Sequence, residues 1–125
     1  MGSNFHLLGE RNDIPLIMAS LDMFTLSSLG EGFSNVIGEA MASRTPCVVT
    51  NVGDSAYIVG NSGVVVPPKK PKQLMKGWMK ILTITNKKRE ELGKQARQRV
   101  VEKFDINNIT QDYIKVYENL ISETK

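Results

Sequence analysis

The chain of 125 residues is poor in the residues that staple or metallate small proteins, with one cysteine, Cys47, and one histidine, His6. An internal disulfide is thereby excluded, and so is a zinc site of the usual nitrogen and sulfur kind. Long hydrophobic runs are missing too. Leu16-Ile17-Met18-Ala19 and Ala56-Tyr57-Ile58-Val59 are typical of the longest, far short of the ~20 residues that cross a bilayer. Met1-Gly2-Ser3 leads into Phe5-His6-Leu7-Leu8-Gly9 without a basic region or a small-residue cleavage site. No secretory leader is expected, and the cytoplasm is the expected compartment. Aromatic residues make up only 6%.

What is present suffices for one core: 41% of residues are hydrophobic and 23% charged, which excludes disorder as the starting assumption. Cys47 lies in the apolar run Pro46-Cys47-Val48-Val49 and reads as a small buried hydrophobe rather than a nucleophile. The net charge of +3 is unevenly spread, with −4 over residues 1–68, +9 over 69–103 and −2 over 104–125. The basic stretch is helical text without interleaved aromatics, Trp78 excepted, and the spacing of Trp78 assigns it to the core. A solvated helix face is the plain reading of these cations. If they attract an anion, a membrane surface fits better than nucleic acid, because stacking residues for bases are missing.

Short apolar runs followed by turn chemistry and helical periodicity predict parallel β/α units. Strands are expected at Phe5 to Leu8, Met23 to Ser27, Pro46 to Thr50 and Val64 to Val66, the last stopped by Pro67-Pro68. A short helix opens at Asp13-Ile14-Pro15, with Asp13 as cap and Leu16, Ile17 and Leu21 facing inward. Asn35 to Ser43 is a helix with an apolar stripe of Val36, Ile37, Ala40 and Met41. Another short helix covers Tyr57 to Val59. Leu74, Trp78, Ile81 and Leu82 mark one longer helix; Leu92, Ala96, Val100 and Phe104 mark the next. A last helix after Asn107-Asn108 aligns Tyr113, Val116, Tyr117 and Leu120. The expected fold is a Rossmann-like α/β domain with a parallel sheet of about four strands flanked by helices. Four strands are few for a doubly wound sheet, so a unit is expected to be missing on the N-terminal side, leaving an edge prone to self-association.

Several enzyme signatures fail. Gly30-x-Gly32 lacks the third glycine of the dinucleotide fingerprint, since position 35 is Asn35, and no G-x-S-x-G, P-loop or H-E-x-x-H text occurs. A receiver-like signalling domain would need acids clustered at one strand end, and Asp22 and Asp54 are not so placed. What remains is Ser27 to Ala42, a glycine-bearing junction beyond a strand's carboxyl end that opens a helix, where α/β sheets bind ligands. Free amides of residues 33 to 36 would form an anion site, and Glu31 and Glu39 would accept bonds from sugar hydroxyls. The competing reading makes Glu39 an exposed helix residue and Glu31 a carboxylate that complements the helix dipole.

The text E-G-F-x-N-x-x-x-E-A-M-A from Glu31, then Pro46-Cys47-Val48-Val49-Thr50, Val52-Gly53 and Gly63-Val64-Val65-Val66-Pro67-Pro68, resembles a known family. It is similar to the C-terminal, nucleotide-sugar-binding half of retaining glycosyltransferases with two Rossmann-like domains, the family four or group 1 branch. The likeness runs from Phe5-x-x-x-Gly9 and Asp13-Ile14-Pro15 to Tyr113-x-x-x-Tyr117. It implies that Glu39 binds the donor ribose and that Glu31 holds a donor-sugar hydroxyl in the catalytic role. It implies further that the backbone of Gly32, Phe33, Ser34, Asn35 and Val36 brackets the sugar and diphosphate, and that Arg11 meets the nucleobase.

The donor would be a nucleotide diphosphate sugar such as a UDP or GDP sugar, transferred with retention and, as a rule, without metal or other cofactor. The acceptor would be a glycan or a lipid-linked molecule, with the enzyme cytoplasmic or peripheral at the inner membrane face. The arginine and lysine pair that the family carries on its preceding unit, and the N-terminal domain with its acceptor site, are not in this text. Residues 1–125 are therefore expected to be a donor-binding fragment without turnover of its own. A noncatalytic nucleotide-sugar-binding module is the alternative. Arg44 stands where the family commonly has glycine; a left-handed backbone there would strain the chain by roughly 1 kcal/mol.

Overall fold

The computed structural model describes residues 4–123; Met1-Gly2-Ser3 and Thr124-Lys125 lie outside the described residues. Three strands form one parallel sheet: β1 (Phe24–Leu26), β2 (Cys47–Thr50) and β3 (Val64–Val66), in the order β1-β2-β3. Phe24, Thr25 and Leu26 pair with Cys47, Val48 and Val49, and Val48, Val49 and Thr50 pair with Val64, Val65 and Val66. Around the sheet lie α1 (Ile14–Ser20), α2 (Asn35–Ala42), α3 (Ser55–Val59), α4 (Pro71–Leu82), α5 (Asn86–Phe104) and α6 (Ile106–Glu123).

Alternation along the strands sorts the two faces. Phe24, Leu26, Cys47, Val49 and Val65 join Met18, Ile37, Ala40, Met41, Ile58, Val59 and Ala96 in the main core, beneath α1, α2, α3 and α5. The opposite face, Val48, Val64 and Val66, receives α4 through Gly77, where a β-carbon would stand 2.9 Å from Val48 Cγ1 and 3.2 Å from Val66 Cγ1. Cys47 is fully buried, and burial raises its thiol to about 12. The expectation of a buried small hydrophobe is met.

Four expectations need correction. Phe5 to Leu8 forms no strand, so the sheet has three strands rather than four; Leu7 is 88% exposed. Strand text without a neighbouring ladder has nothing to pair with, and β1 presents one unpaired edge among the described residues. In α1 the inward position belongs to Met18, with Ile14 packed beside it, while Leu16 is 72% exposed and Leu21 also lies outside the core. The helix begins at Ile14, which sets the inward stripe at spacing four from there.

Asp13 occupies the cap position of α1 without a side-chain capping bond. Its carboxylate is taken by Arg11, through Nε at 2.8 Å and Nη2 at 2.6 Å. Trp78 is not fully interior: it remains 37% exposed and reaches over the sheet to donate from Nε1 to Thr25 Oγ1 at 3.0 Å. The apolar side of α6 exists as expected, but no α6 residue is buried.

Arg44 has φ 62°, the left-handed conformation for which glycine is the usual residue. It ends the α2 turn, where Arg44 N donates to Met41 O at 3.0 Å. The Arg44 carbonyl lies directly against Gly93, leaving no room there for a β-carbon. Arg97 then donates to the carbonyl of Ala42, so α5 closes the carboxyl end of α2.

Candidate functional site

The segment between β1 and α2 leaves the sheet at its carboxyl end and is gripped from the neighbouring strand. Thr50 Oγ1, at the last residue of β2, donates to Ser28 O at 2.7 Å. Past β2 the chain turns through Val52-Gly53-Asp54, and the Asp54 amide donates to Gly32 O at 3.2 Å. Both ends of the loop are thus tied by their carbonyls. Within it, Ser28 Oγ donates to Glu31 Oε1 at 2.5 Å, so the Glu31 carboxylate is held by its own loop.

Ser34 is buried and sits at the cap position of α2 in extended conformation, φ −89° and ψ 99°, but gives the helix no side-chain bond. A helix start leaves its first amides without intrahelical partners, and these are the donors an anion would use. Val36 packs at the rim of the core. Ile37, Ala40 and Met41 face inward, which turns the opposite side of α2, carrying Asn35, Gly38, Glu39 and Ala42, outward. That side lines an open pocket of about 390 Å³, completed by Phe33, Ile58, Val100 and Phe104. Phe104 meets the Phe33 ring edge-on at 5.7 Å and the Tyr57 ring at 5.8 Å, so α5 supplies an aromatic wall.

Phe33, Asn35 and Glu39 therefore share one pocket. Glu31, Gly32, Ser34 and Val36 belong to the loop and helix start beside it and do not line it. Glu31 and Glu39 are both exposed. Arg11 is engaged with Asp13, and that hydrogen bond holds the Asp13 carboxyl below its usual range and raises the guanidinium.

Sequence reasoning passed over a second concavity at the same end of the sheet. It measures about 180 Å³ and includes Ser27, Thr50, Pro67, Lys69 and Lys70. Ser27 and Pro67 each follow a strand directly, and Lys69-Lys70 follows Pro67-Pro68. That position, beyond three strand ends, was the signal available in the text. At the amino end of the strands a different dent, about 260 Å³, is lined by Asp22, Pro46 and Arg89 among others, with Arg89 and Asp22 3.6 Å apart. It lies at the wrong end of a parallel sheet for ligand binding.

A parallel three-strand sheet flanked by helices, with a glycine-bearing loop from a strand's carboxyl end into a helix, defines a Rossmann-like α/β domain. The family model for Glycosyl transferases group 1 matches residues 1–83, and the chain belongs to that family. It is 32% identical over 118 residues to a Campylobacter jejuni N,N'-diacetylbacillosaminyl-diphospho-undecaprenol alpha-1,3-N-acetylgalactosaminyltransferase, covering 93% of this chain and 31% of the relative. With an Escherichia coli UDP-Gal:alpha-D-GlcNAc-diphosphoundecaprenol alpha-1,3-galactosyltransferase it shares 46% identity over 55 residues, 44% of this chain and 14% of the relative.

Among solved structures, sucrose-phosphate synthase from Thermosynechococcus elongatus superposes with a TM-score of 0.74 at 26% identity, over 86% of this chain and 27% of that one. The C-terminal domain of a group 1 glycosyl transferase from Francisella tularensis gives 0.69 at 26%, over 82% of this chain and 53% of that domain. The chain spans about a third or less of the length of these curated relatives. No helix among the described residues is long and apolar enough to cross a membrane.

Proposed function

We propose that the chain is the donor-binding lobe of a retaining glycosyltransferase that moves a sugar from a nucleotide diphosphate sugar to a glycan or lipid-linked acceptor. The observation that carries this reading is the junction from Glu31 to Glu39, running from the loop after β1 into α2 in a chain of the group 1 family. In this reading Glu39 accepts from the ribose hydroxyls, and Phe33 and Asn35 border the same pocket. Glu31 holds a donor-sugar hydroxyl, and the amides from Gly32 to Val36 meet the diphosphate. Negative charge develops on the departing diphosphate, and amides aimed at a helix start stabilise it without reorganisation. Arg11 meets the nucleobase after leaving Asp13.

Two relatives bear names that specify diphospho-undecaprenol substrates, which supports a lipid-linked acceptor and a place at the cytoplasmic membrane face. The acceptor site and the remaining catalytic groups belong to an N-terminal domain outside these residues, so the lobe by itself performs no turnover. Calorimetric titration of the chain with UDP and GDP sugars tests the site. Glu39→Ala is expected to weaken binding by about tenfold, the loss of hydrogen bonds to a charged acceptor. Equal affinity in the variant removes Glu39 from the ribose, and sugar transfer by the 125-residue chain alone overturns the lobe reading.

A further inference from the structure

We infer that Gly53 is a positioning residue for the donor loop, setting the height of the Glu31–Gly32 backbone by having no side chain. This rests on the proposed donor site and goes beyond it, because Gly53 touches no ligand in that reading. The turn after β2 runs beneath the loop so closely that a β-carbon on Gly53 would fall 2.7 Å from Gly32 O and 2.8 Å from Glu31 C, and closer still to Glu31 O. Those neighbours are backbone atoms, which cannot swing aside as a side chain can. The φ of Gly53 is 49°, a conformation that L residues rarely adopt.

The adjacent contacts act in the same direction. Asp54 N holds Gly32 O, and Thr50 Oγ1 holds Ser28 O. The loop is therefore seated at three points on the end of β2 and the turn that follows it. Raising the loop moves the group assigned to the sugar, Glu31, while Glu39 stays fixed in α2. Disturbance at Gly53 therefore separates recognition of the sugar and diphosphate from recognition of the nucleoside.

The test uses the whole chain with uridine and UDP-galactose as probes, together with amide hydrogen exchange. Gly53→Ala is expected to weaken UDP-galactose by about tenfold or more while uridine, which carries neither the diphosphate nor the transferred sugar, changes by less than about threefold, since the lost contacts are hydrogen bonds to charged groups. Exchange at the Asp54 amide, which donates to Gly32 O, rises in the variant. Gly9→Ala is the control for backbone conformation, because Gly9 has φ +65° with nothing within 4 Å of a β-carbon; it leaves exchange at the Asp54 amide unchanged.

Should Gly53→Ala not fold, Thr50→Val removes the tie to Ser28 O at nearly constant volume and gives the same pattern more weakly. Unchanged exchange at the Asp54 amide in whichever of these variants folds, or an equal loss for uridine and UDP-galactose, overturns the inference. If the unsubstituted chain binds neither UDP nor UDP-galactose nor GDP-mannose, the donor-site reading falls, and the exchange data alone decide whether Gly53 sets the loop.

Discussion

At the scale of single residues, the tightest constraints fall on groups without much chemistry. Cys47 is the clearest case. Its thiol is buried in the sheet, donates to Thr45 O at 3.3 Å, and is raised to about 12 from 9.0 by burial. A group whose folded value lies above its unfolded value favours folding fully below the unfolded value and loses that contribution as pH rises toward the folded one. The chain should therefore weaken between about pH 9 and pH 12 as the unfolded thiol ionises. Cys47→Ala should remove that part of the alkaline loss, read as the difference between melting curves of the two proteins across this range.

The same residue was legible beforehand, because an apolar run around a lone cysteine has one common outcome. Arg44 was legible through its departure from a family pattern, and its φ of 62° is the conformation that pattern implies. Arg11 was not: a text of separate letters does not reveal that Asp13, placed to cap α1, would instead bind Arg11 in a two-point ion pair.

At the scale of elements, close approach of helices explains positions that periodicity leaves blank. Gly77 and Gly93 look like helix-weakening residues in the sequence, yet both are buried. Their neighbours differ. A β-carbon at Gly77 meets methyl groups of Val48, Val66 and Val64, which can shift, whereas at Gly93 it meets the carbonyl of Arg44. Gly77→Ala is thus expected to be nearly neutral, helix propensity offsetting crowding, while Gly93→Ala costs about 2 kcal/mol or more by forcing α5 from α2. Denaturant titration of both variants checks the ordering. Helices α2, α4 and α5 were readable from spacing because each buries a stripe. The strand at Phe5 to Leu8 was misjudged because alternation and apolarity report only what a segment could pair, and its partner is a property of the rest of the sheet.

At the scale of the whole molecule, the sheet stops short. β1 carries an unpaired edge, and Met75, Trp78, Met79 and Leu82 of α4 together with Phe5, Leu7 and Leu8 remain exposed. That much apolar surface and an open edge favour association. The isolated chain should sediment with a mass that rises with concentration; a strictly monomeric profile to about 100 μM, a range that captures dissociation constants worth some 5.5 kcal/mol, would contradict this. The candidate site was legible as a junction but not as a cavity, since the aromatic wall of Phe33, Phe104 and Tyr57 brings together residues from three distant parts of the chain.

The bareness of α6 carries a thermodynamic consequence. Its eighteen residues bury no side chain fully; Asn108 Nδ2 bonds Val101 O and Glu102 O at the α5 end and Ile109 is half-buried, so in a monomer the order of the later turns rests largely on the backbone ladder, which at this length is marginal in water. Heating such a monomer would melt this segment gradually before the sheet gives way. A calorimetric enthalpy divided over all 125 residues would then fall below the figure usual for a domain of that size, and the shortfall would measure how much of the chain stands outside the cooperative unit.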